Sequence, residues 1–250
     1  MKYTIILLAL VVLVSFKASS EKNCSYIDSY GNYYCISRVN LMAVVDATFD
    51  QQYQSQWCWA ASLSNVFDSY NHPVSQQRIV EEAYGGLINL PAQGFQIAQQ
   101  LNKTWIDDYG NSFSVRLTGA YDYYKGVYSL NNQMIVDNLT QNKPLIIGTN
   151  GHAMTLYEVA YYETFNGPNF IGGSVYDPWP NRGWRQLTTA EFTPINLGGQ
   201  MQFLVTATLT SINTNNNNDS VSTSNDDSGG TTGVFFLLLI TIGLIRNKKW

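Results

Sequence analysis

Three side chains in this sequence have the types needed for nucleophilic catalysis: the thiol of Cys58, the imidazole of His152 and the carboxylate of Asp177. A thiolate attacks carbonyl carbon, an imidazole moves protons near neutral pH, and a carboxylate fixes the orientation of the imidazole. Cys58 lies far from His152 in the sequence, so the two can meet only through tertiary contact. The set predicts acyl-transfer chemistry through a Cys-His-Asp triad.

Cys58 lies between two tryptophans at the start of a predicted helix. The free backbone N–H groups of a first helical turn, together with the macrodipole, favour the thiolate form of a cysteine. The oxyanion that forms during attack needs hydrogen-bond donors. For this oxyanion hole we predict the backbone N–H of Cys58 and the side-chain amide of Gln52, with Gln51 and Gln54 as alternative glutamines.

His152 is the predicted base, chosen from the two histidines of the chain. It follows a buried apolar strand and a Thr-Asn-Gly turn, at the start of the next predicted strand. His72 precedes Pro73 in a segment that ends a helix, so we interpret it as an exposed loop residue.

Asp177 begins the segment Asp177-Pro178-Trp179-Pro180 after a predicted strand. Pro178 lacks an N–H and has a fixed φ, which would hold the carboxylate at the strand end. The alternative role for Asp177 is that of an Asx-type turn residue. In that case Asn181 would orient the imidazole.

Residues 52–59 resemble the active-site signature of papain-like cysteine proteases, in which glutamine and five further residues precede Cys-Trp. The Trp-Cys-Trp-Ala-Ala segment is similar to the bacterial papain-like and leader-peptidase-like branches. Gly151-His152 and the Asp-Pro-aromatic segment at Asp177 resemble the other two motifs, within a region from about 44 to 209. The resemblance implies a papain-like fold, with Asp177 in the place of the asparagine of papain.

Hydrophobic periodicity predicts the elements that position these side chains. Apolar residues spaced at i, i+3, i+4 and i+7 predict a helix from Trp57 to about residue 70. Helices first and strands afterwards favour an α+β fold, with an N-terminal helical lobe, a C-terminal antiparallel β lobe and a cleft between them. Further helices are predicted over 78–83, 92–101 and 131–140, and strands over 144–148, 153–161, 169–176, 183–187 and 201–209.

The chain has three cysteines, an odd number. Cys24 and Cys35 bracket a polar, Tyr-rich stretch suited to a loop or hairpin, and we predict a disulfide between them. Closing so short a loop stabilises a fold by roughly 2–3 kcal/mol in the chain-entropy model. Cys58 is then the free thiol.

Both ends of the chain have the composition of targeting segments, which leaves residues 21–212 as the predicted protease domain. Residues 1–20 are typical of a secretory signal peptide, with an uncleaved anchor as the alternative. Residues 213–233 are predicted to be a disordered Asn/Ser/Asp/Gly linker. An apolar anchor or sorting segment at 234–245 and a basic cytoplasmic end at 246–250 follow.

Ser228-Gly229-Gly230, the apolar tail and the basic end together resemble a bacterial Gly-Gly sorting signal. That resemblance implies removal of the tail by a rhomboid-type intramembrane protease. A retained single-pass anchor is the alternative. With signal peptidase acting at the other end, the chain is expected at the cell surface, in the periplasm or outside the cell.

We predict an exported cysteine peptidase or amidase that acts on a peptide or protein, needs no cofactor or metal and is a monomer. The same triad would serve a transpeptidase or a transglutaminase-like acyl transferase, and a non-catalytic surface-binding protein on the same fold is the alternative from another class. Charged residues make up 13% of the chain and the net charge is −4, which does not favour nucleic-acid binding. The sequence has no Gly-x-Ser-x-Gly motif for a serine hydrolase, and its two distant histidines give no metal-ligand cluster.

Overall fold

A computed structural model describes residues 21–27, 33–40 and 49–212. Of these residues, 24% are helical and 40% lie in strands. The strands are β1 (Glu21–Tyr26), β2 (Tyr33–Arg38), β3 (Thr104–Ile106), β4 (Ser112–Asp122), β5 (Val127–Tyr128), β6 (Leu145–Thr149), β7 (His152–Thr164), β8 (Gly167–Asp177), β9 (Gly183–Gln186) and β10 (Met201–Ser211). The helices are α1 (Cys58–Asp68), α2 (Gln76–Tyr84), α3 (Gly94–Gln100), α4 (Asn132–Thr140) and α5 (Thr189–Phe192), and Ile195–Leu197 form a 3₁₀ turn.

The strands join in one antiparallel sheet whose main order is β1-β2-β7-β6-β10-β4-β3. The long strand β7 organises it: β6 pairs with its first residues and β2 with its later ones along one edge. β8 pairs along the other edge of β7 and carries β9. The two ends where β7 begins and β8 finishes therefore lie side by side, since Thr155 is the register partner of Tyr176.

The sheet is covered on both faces because its central strands are apolar on both sides. Ile146 of β6 packs in a cluster with residues of α1, α2 and α3. Leu145 and Ile147 point the opposite way and pack in a second cluster, with Ile135 and Leu139 of α4. The continuous apolar run of β6 is thus explained by burial on both faces.

The predicted division into a helical lobe and a β lobe is wrong, and with it the two-lobed papain-like fold. β4 lies between α3 and α4 in the chain, yet it pairs with β10 from Asp122 opposite Phe203 to Phe113 opposite Ser211. The half predicted to be helical thus supplies a long strand to the same sheet as the C-terminal half. The described residues form a mostly antiparallel ten-stranded sheet with five short helices.

The predicted Cys24–Cys35 disulfide is confirmed. The two residues are register partners on β1 and β2, and Cys35 is fully buried. Cys58 is the free cysteine among the described residues. The bond indicates an oxidising environment, such as that of exported proteins.

Replacing the exposed Cys24 with alanine should lower the free energy of unfolding by roughly 2–3 kcal/mol, because the unfolded chain gains loop entropy. The variant leaves the buried Cys35 in place, so no cavity is created. Denaturant titration measures the change, and wild-type protein in reductant is the matched control. Equal stability of the oxidised wild type and the variant would show that the bond does not constrain the unfolded chain.

The predicted signal peptide, linker, apolar segment and basic end lie outside the described residues. Among the residues that are described, no helix is both long and apolar enough to cross a bilayer.

Candidate active site

Helix α1 begins at Cys58 and is held there by the tryptophans on either side. The indole N–H of Trp57 donates to the carbonyl of Ile88 at 2.9 Å, and that of Trp59 donates to the carbonyl of Leu90 at 3.1 Å. Both tryptophans are buried, whereas Cys58 itself is half-buried. The first N–H groups of a helix have no intrahelical acceptor, so the N–H of Cys58 is available to a bound group.

His152 is the first residue of β7 and follows a two-residue turn. Asn150 and Gly151 have φ values of 50° and 76°, as expected for an Asn-Gly turn that joins paired strands. Three residues further along β7, the hydroxyl of Thr155 donates to the carbonyl of Ser62 in α1 at 3.4 Å. This contact ties the strand that carries His152 to the helix that begins at Cys58.

The imidazole of His152 lies between the other two predicted catalytic groups. Its Nε2 is 2.7 Å from Oδ1 of Asp177, which leaves Nδ1 as the ring nitrogen that can interact with Cys58. The indole of Trp179 lies edge-on to the ring, with 5.9 Å between centroids. Burial lowers the pKa of His152, but the contacts with Asp177 and Cys58 outweigh it and raise the pKa from 6.5 to about 9.

Asp177 ends β8 and is 2% exposed. Its Oδ1 also accepts the N–H of Trp179 at 3.0 Å, so the Asx-type turn and the contact with His152 are made by the same carboxylate. Burial raises the pKa of Asp177, but hydrogen bonds from His152, Arg185 and the Trp179 N–H lower it to about 2. Asn181, the alternative partner of His152, is exposed in the following turn.

Arg185 is a positioning residue that the sequence analysis did not assign. Its Nε donates to Oδ2 of Asp177 at 2.8 Å, and its two terminal nitrogens bind the carboxylate of Glu191 at 2.7 and 3.1 Å. Glu191 is fixed in turn by a capping box with Thr188 at the start of α5. The Thr-x-x-Glu pattern at 188–191 was the available sequence signal for this support.

Gln52 is 6% exposed, and its Nε2 donates to the backbone carbonyl of Gln54 at 2.9 Å. An amide nitrogen carries two hydrogens, so one is not engaged by Gln54. Gln52 is not among the residues that line the two cavities beside Cys58. The N–H of Gln52 donates to the carbonyl of Pro178 at 2.8 Å, which joins its loop to the Asp177 segment. Gln54 is exposed, whereas Gln56, which the sequence analysis did not assign, lines the cavities beside Cys58.

Two cavities meet at Cys58 and His152. One, of about 340 Å³, is lined by apolar side chains together with Asp122 and three glutamines, Gln56, Gln93 and Gln202. The other, of about 810 Å³, is polar and includes Asp177 and Arg185 in its wall. Cys58 and His152 line both, so an extended molecule can lie across the thiol with one part on each side.

The interpretation of His72 as an exposed loop residue is wrong. The side chain is 8% exposed and stacks on Phe113 with 4.5 Å between ring centroids. Its Nδ1 is 2.9 Å from Oδ2 of Asp107 and its Nε2 is 2.8 Å from the hydroxyl of Ser211. His72 therefore ties the end of β10 to the turn after β3, and it lines neither of the cavities beside Cys58.

Among the described residues, no cluster of three or more His, Cys, Asp or Glu side chains is placed to hold a metal ion. No model of a known protein family matches the chain, and no curated protein matches it. The functional assignment therefore depends on the geometry around Cys58.

Proposed function

We propose that this chain is a cysteine peptidase or amidase that works through an acyl-enzyme intermediate. The observation that carries the proposal is the His152 ring, which pairs with Asp177 and interacts electrostatically with Cys58 where two cavities meet. A free thiol, a base and a buried orienting carboxylate are the parts needed for covalent catalysis at a carbonyl.

In the proposed reaction the Cys58 thiolate attacks the carbonyl carbon of a peptide or amide bond. The oxyanion accepts hydrogen bonds from the Cys58 N–H and the Gln52 amide. Protonated His152 gives its Nδ1 proton to the leaving amine, the C–N bond breaks and a thioester remains on Cys58. His152 then removes a proton from water, which attacks the thioester and releases the acid and the thiolate.

The charges around His152 suit this sequence of steps. A pKa of about 9 keeps the imidazole protonated at neutral pH, so it can stand beside a thiolate and supply a proton to the leaving group. Asp177, with its pKa lowered to about 2, stays ionised and stabilises the imidazolium. Arg185 keeps that carboxylate in place through its second oxygen.

The alkaline limb of kcat/KM should fall near pH 9, because deprotonated His152 cannot protonate the leaving amine. Asp177→Asn removes a charge that raises this pKa, so the limb should move towards 6.5 while some turnover remains. Because the pKa of His152 is higher in the folded protein than in the unfolded chain, protonation of His152 also stabilises the fold. This stabilisation is fully present below pH about 6.5 and is lost as the pH rises through about 9. A pH–rate profile and thermal melts of both proteins measure these effects. An unchanged alkaline limb in the variant would show that Asp177 does not set the charge of His152.

The disulfide favours an exported protein, and we propose that this activity operates at the cell surface, in the periplasm or outside the cell. An acceptor amine in place of water would make the same chemistry a transpeptidation. Product analysis with and without added amines separates hydrolysis from transfer.

Labelling with iodoacetamide or an epoxide probe, followed by peptide mapping, tests the proposal. We expect modification of Cys58 alone in the native, oxidised protein, in proportion to the loss of amidase activity on a peptide mixture. Full modification of Cys58 with activity retained would overturn it.

A further inference from the structure

The smaller of the two cavities beside Cys58 contains a buried carboxylate that the proposed mechanism does not use. Asp122 is the last residue of β4, is 6% exposed and lines the cavity of about 340 Å³. Its Oδ1 accepts the N–H of Lys125 at 3.1 Å. Within the described ranges, none of the ion pairs includes Asp122.

A buried charge without a counter-charge is costly, and proteins normally pair such groups. The nearest lysine in sequence, Lys125, places its ammonium 4.5 Å from the centre of the Phe95 ring instead. Asp122 therefore has no cationic partner among the described residues, and a cation from a bound molecule could supply one.

The walls of the cavity fit the stem of such a molecule. Trp59, Ile97 and Phe203 present apolar surface on which methylene groups can pack. Gly94 lies directly against the carboxylate and the Phe203 ring, since a Cβ there would lie 2.8 Å from Oδ2 of Asp122 and 2.5 Å from Cδ2 of Phe203. The cavity thus combines apolar and amide side chains with one carboxylate.

We propose that this cavity binds an arginine or lysine side chain of the substrate, at a residue next to the bond that Cys58 attacks. The inference rests on the proposed function and adds a substrate class to it. The side-chain stem packs between Trp59 and Phe203, and the cationic head pairs with Asp122. A neutral or acidic side chain at that position leaves the buried carboxylate unpaired.

The kinetic test uses a set of peptide amides that are identical except at one position. That position holds arginine, its neutral isostere citrulline, leucine or glutamate, and separate sets place it at different points along the peptide. We expect wild-type kcat/KM to favour arginine over citrulline by about 10- to 100-fold at one position, as for a charge-assisted hydrogen bond. Asp122→Asn retains an oxygen for the Lys125 N–H and should lose the preference while still cleaving the leucine peptide. Asp137→Asn, an exposed aspartate on α4, is the matched control and should leave the preference unchanged.

A binding test separates this inference from the proposed function. Calorimetry with Cys58→Ala measures binding of the arginine and citrulline peptides without turnover. Preferential binding of the arginine peptide that Asp122→Asn removes supports the cavity assignment, even if no peptide is cleaved and the proposed function fails. Equal binding of the two peptides overturns the assignment. So does cleavage in which Asp122→Asn leaves unchanged the ratio of kcat/KM for the arginine peptide to kcat/KM for the citrulline peptide.

Discussion

Cys58→Ala and His152→Ala should each reduce kcat by about four to six orders of magnitude, because members of a catalytic unit act together and removal of one disables the whole. Without the thiol no thioester forms. Without the imidazole neither the leaving amine nor the attacking water can exchange a proton. Steady-state kinetics on a peptide amide measures the loss in each variant.

Thermal melts must accompany these assays, since the fold has to survive for the kinetics to be interpreted. Cys58 is half-buried at the helix start and His152 keeps part of its surface exposed, so each truncation leaves the clusters on both faces of the sheet intact. A folded His152→Ala protein with most of its activity would show that the triad is wrong.

Gln52→Ala should lower kcat/KM by about 10²- to 10³-fold, which corresponds to ~2.7–4 kcal/mol of transition-state stabilisation from one oxyanion donor. The expectation depends on the second amide hydrogen of Gln52, since the first is engaged by the carbonyl of Gln54. Gln54→Ala is a well-matched control because it keeps that backbone carbonyl and removes only an exposed side chain.

The same kinetics on Gln56→Ala completes the test, because Gln56 lines both cavities beside Cys58. Suppose that Gln54→Ala or Gln56→Ala loses this much activity while a folded Gln52→Ala protein loses none. The glutamine whose replacement causes the loss would then be the oxyanion donor, and Gln52 would not.

The local elements were largely predictable from the sequence. The i, i+3, i+4, i+7 pattern after Trp57 predicted α1, and the strands predicted from 144 onward are present with ends shifted by a few residues. These segments bury one or both faces, so their hydrophobic period follows directly from their packing.

The arrangement of the elements was not predicted, and β4 is the reason. Phe113, Val115 and Leu117 alternate with polar residues as strands do, but the sequence analysis assigned no element there. Once β4 is placed beside β10, helices α1 to α3 become a cover for one sheet face rather than a separate lobe. Strand partners far apart in the chain leave little trace in a single sequence.

In the candidate site, too, the sequence indicated which residue types could do chemistry but not what surrounds each residue. Cys58, His152 and Asp177 could be chosen because a thiol, an imidazole and a carboxylate followed recognisable local patterns. Arg185 and Asp122 could not be chosen in this way, because their proposed roles depend on their surroundings. Arg185 binds the carboxylate of Asp177, and Asp122 is buried without a paired cation among the described residues. His72 was misplaced for the converse reason, since its partners Asp107 and Ser211 are distant in sequence.

The proposed mechanism requires that a thioester forms on Cys58 during turnover. Incubation with an activated peptidyl ester, acid quenching within the first turnover and mass spectrometry of the digested protein test it most directly, with Cys58→Ala as the control. We expect the mass of the acyl group on the peptide that contains Cys58, and we expect this mass to be removed by hydroxylamine and to be absent from the variant. Rapid turnover with the acyl group on another residue, or undiminished turnover by Cys58→Ala, would contradict it.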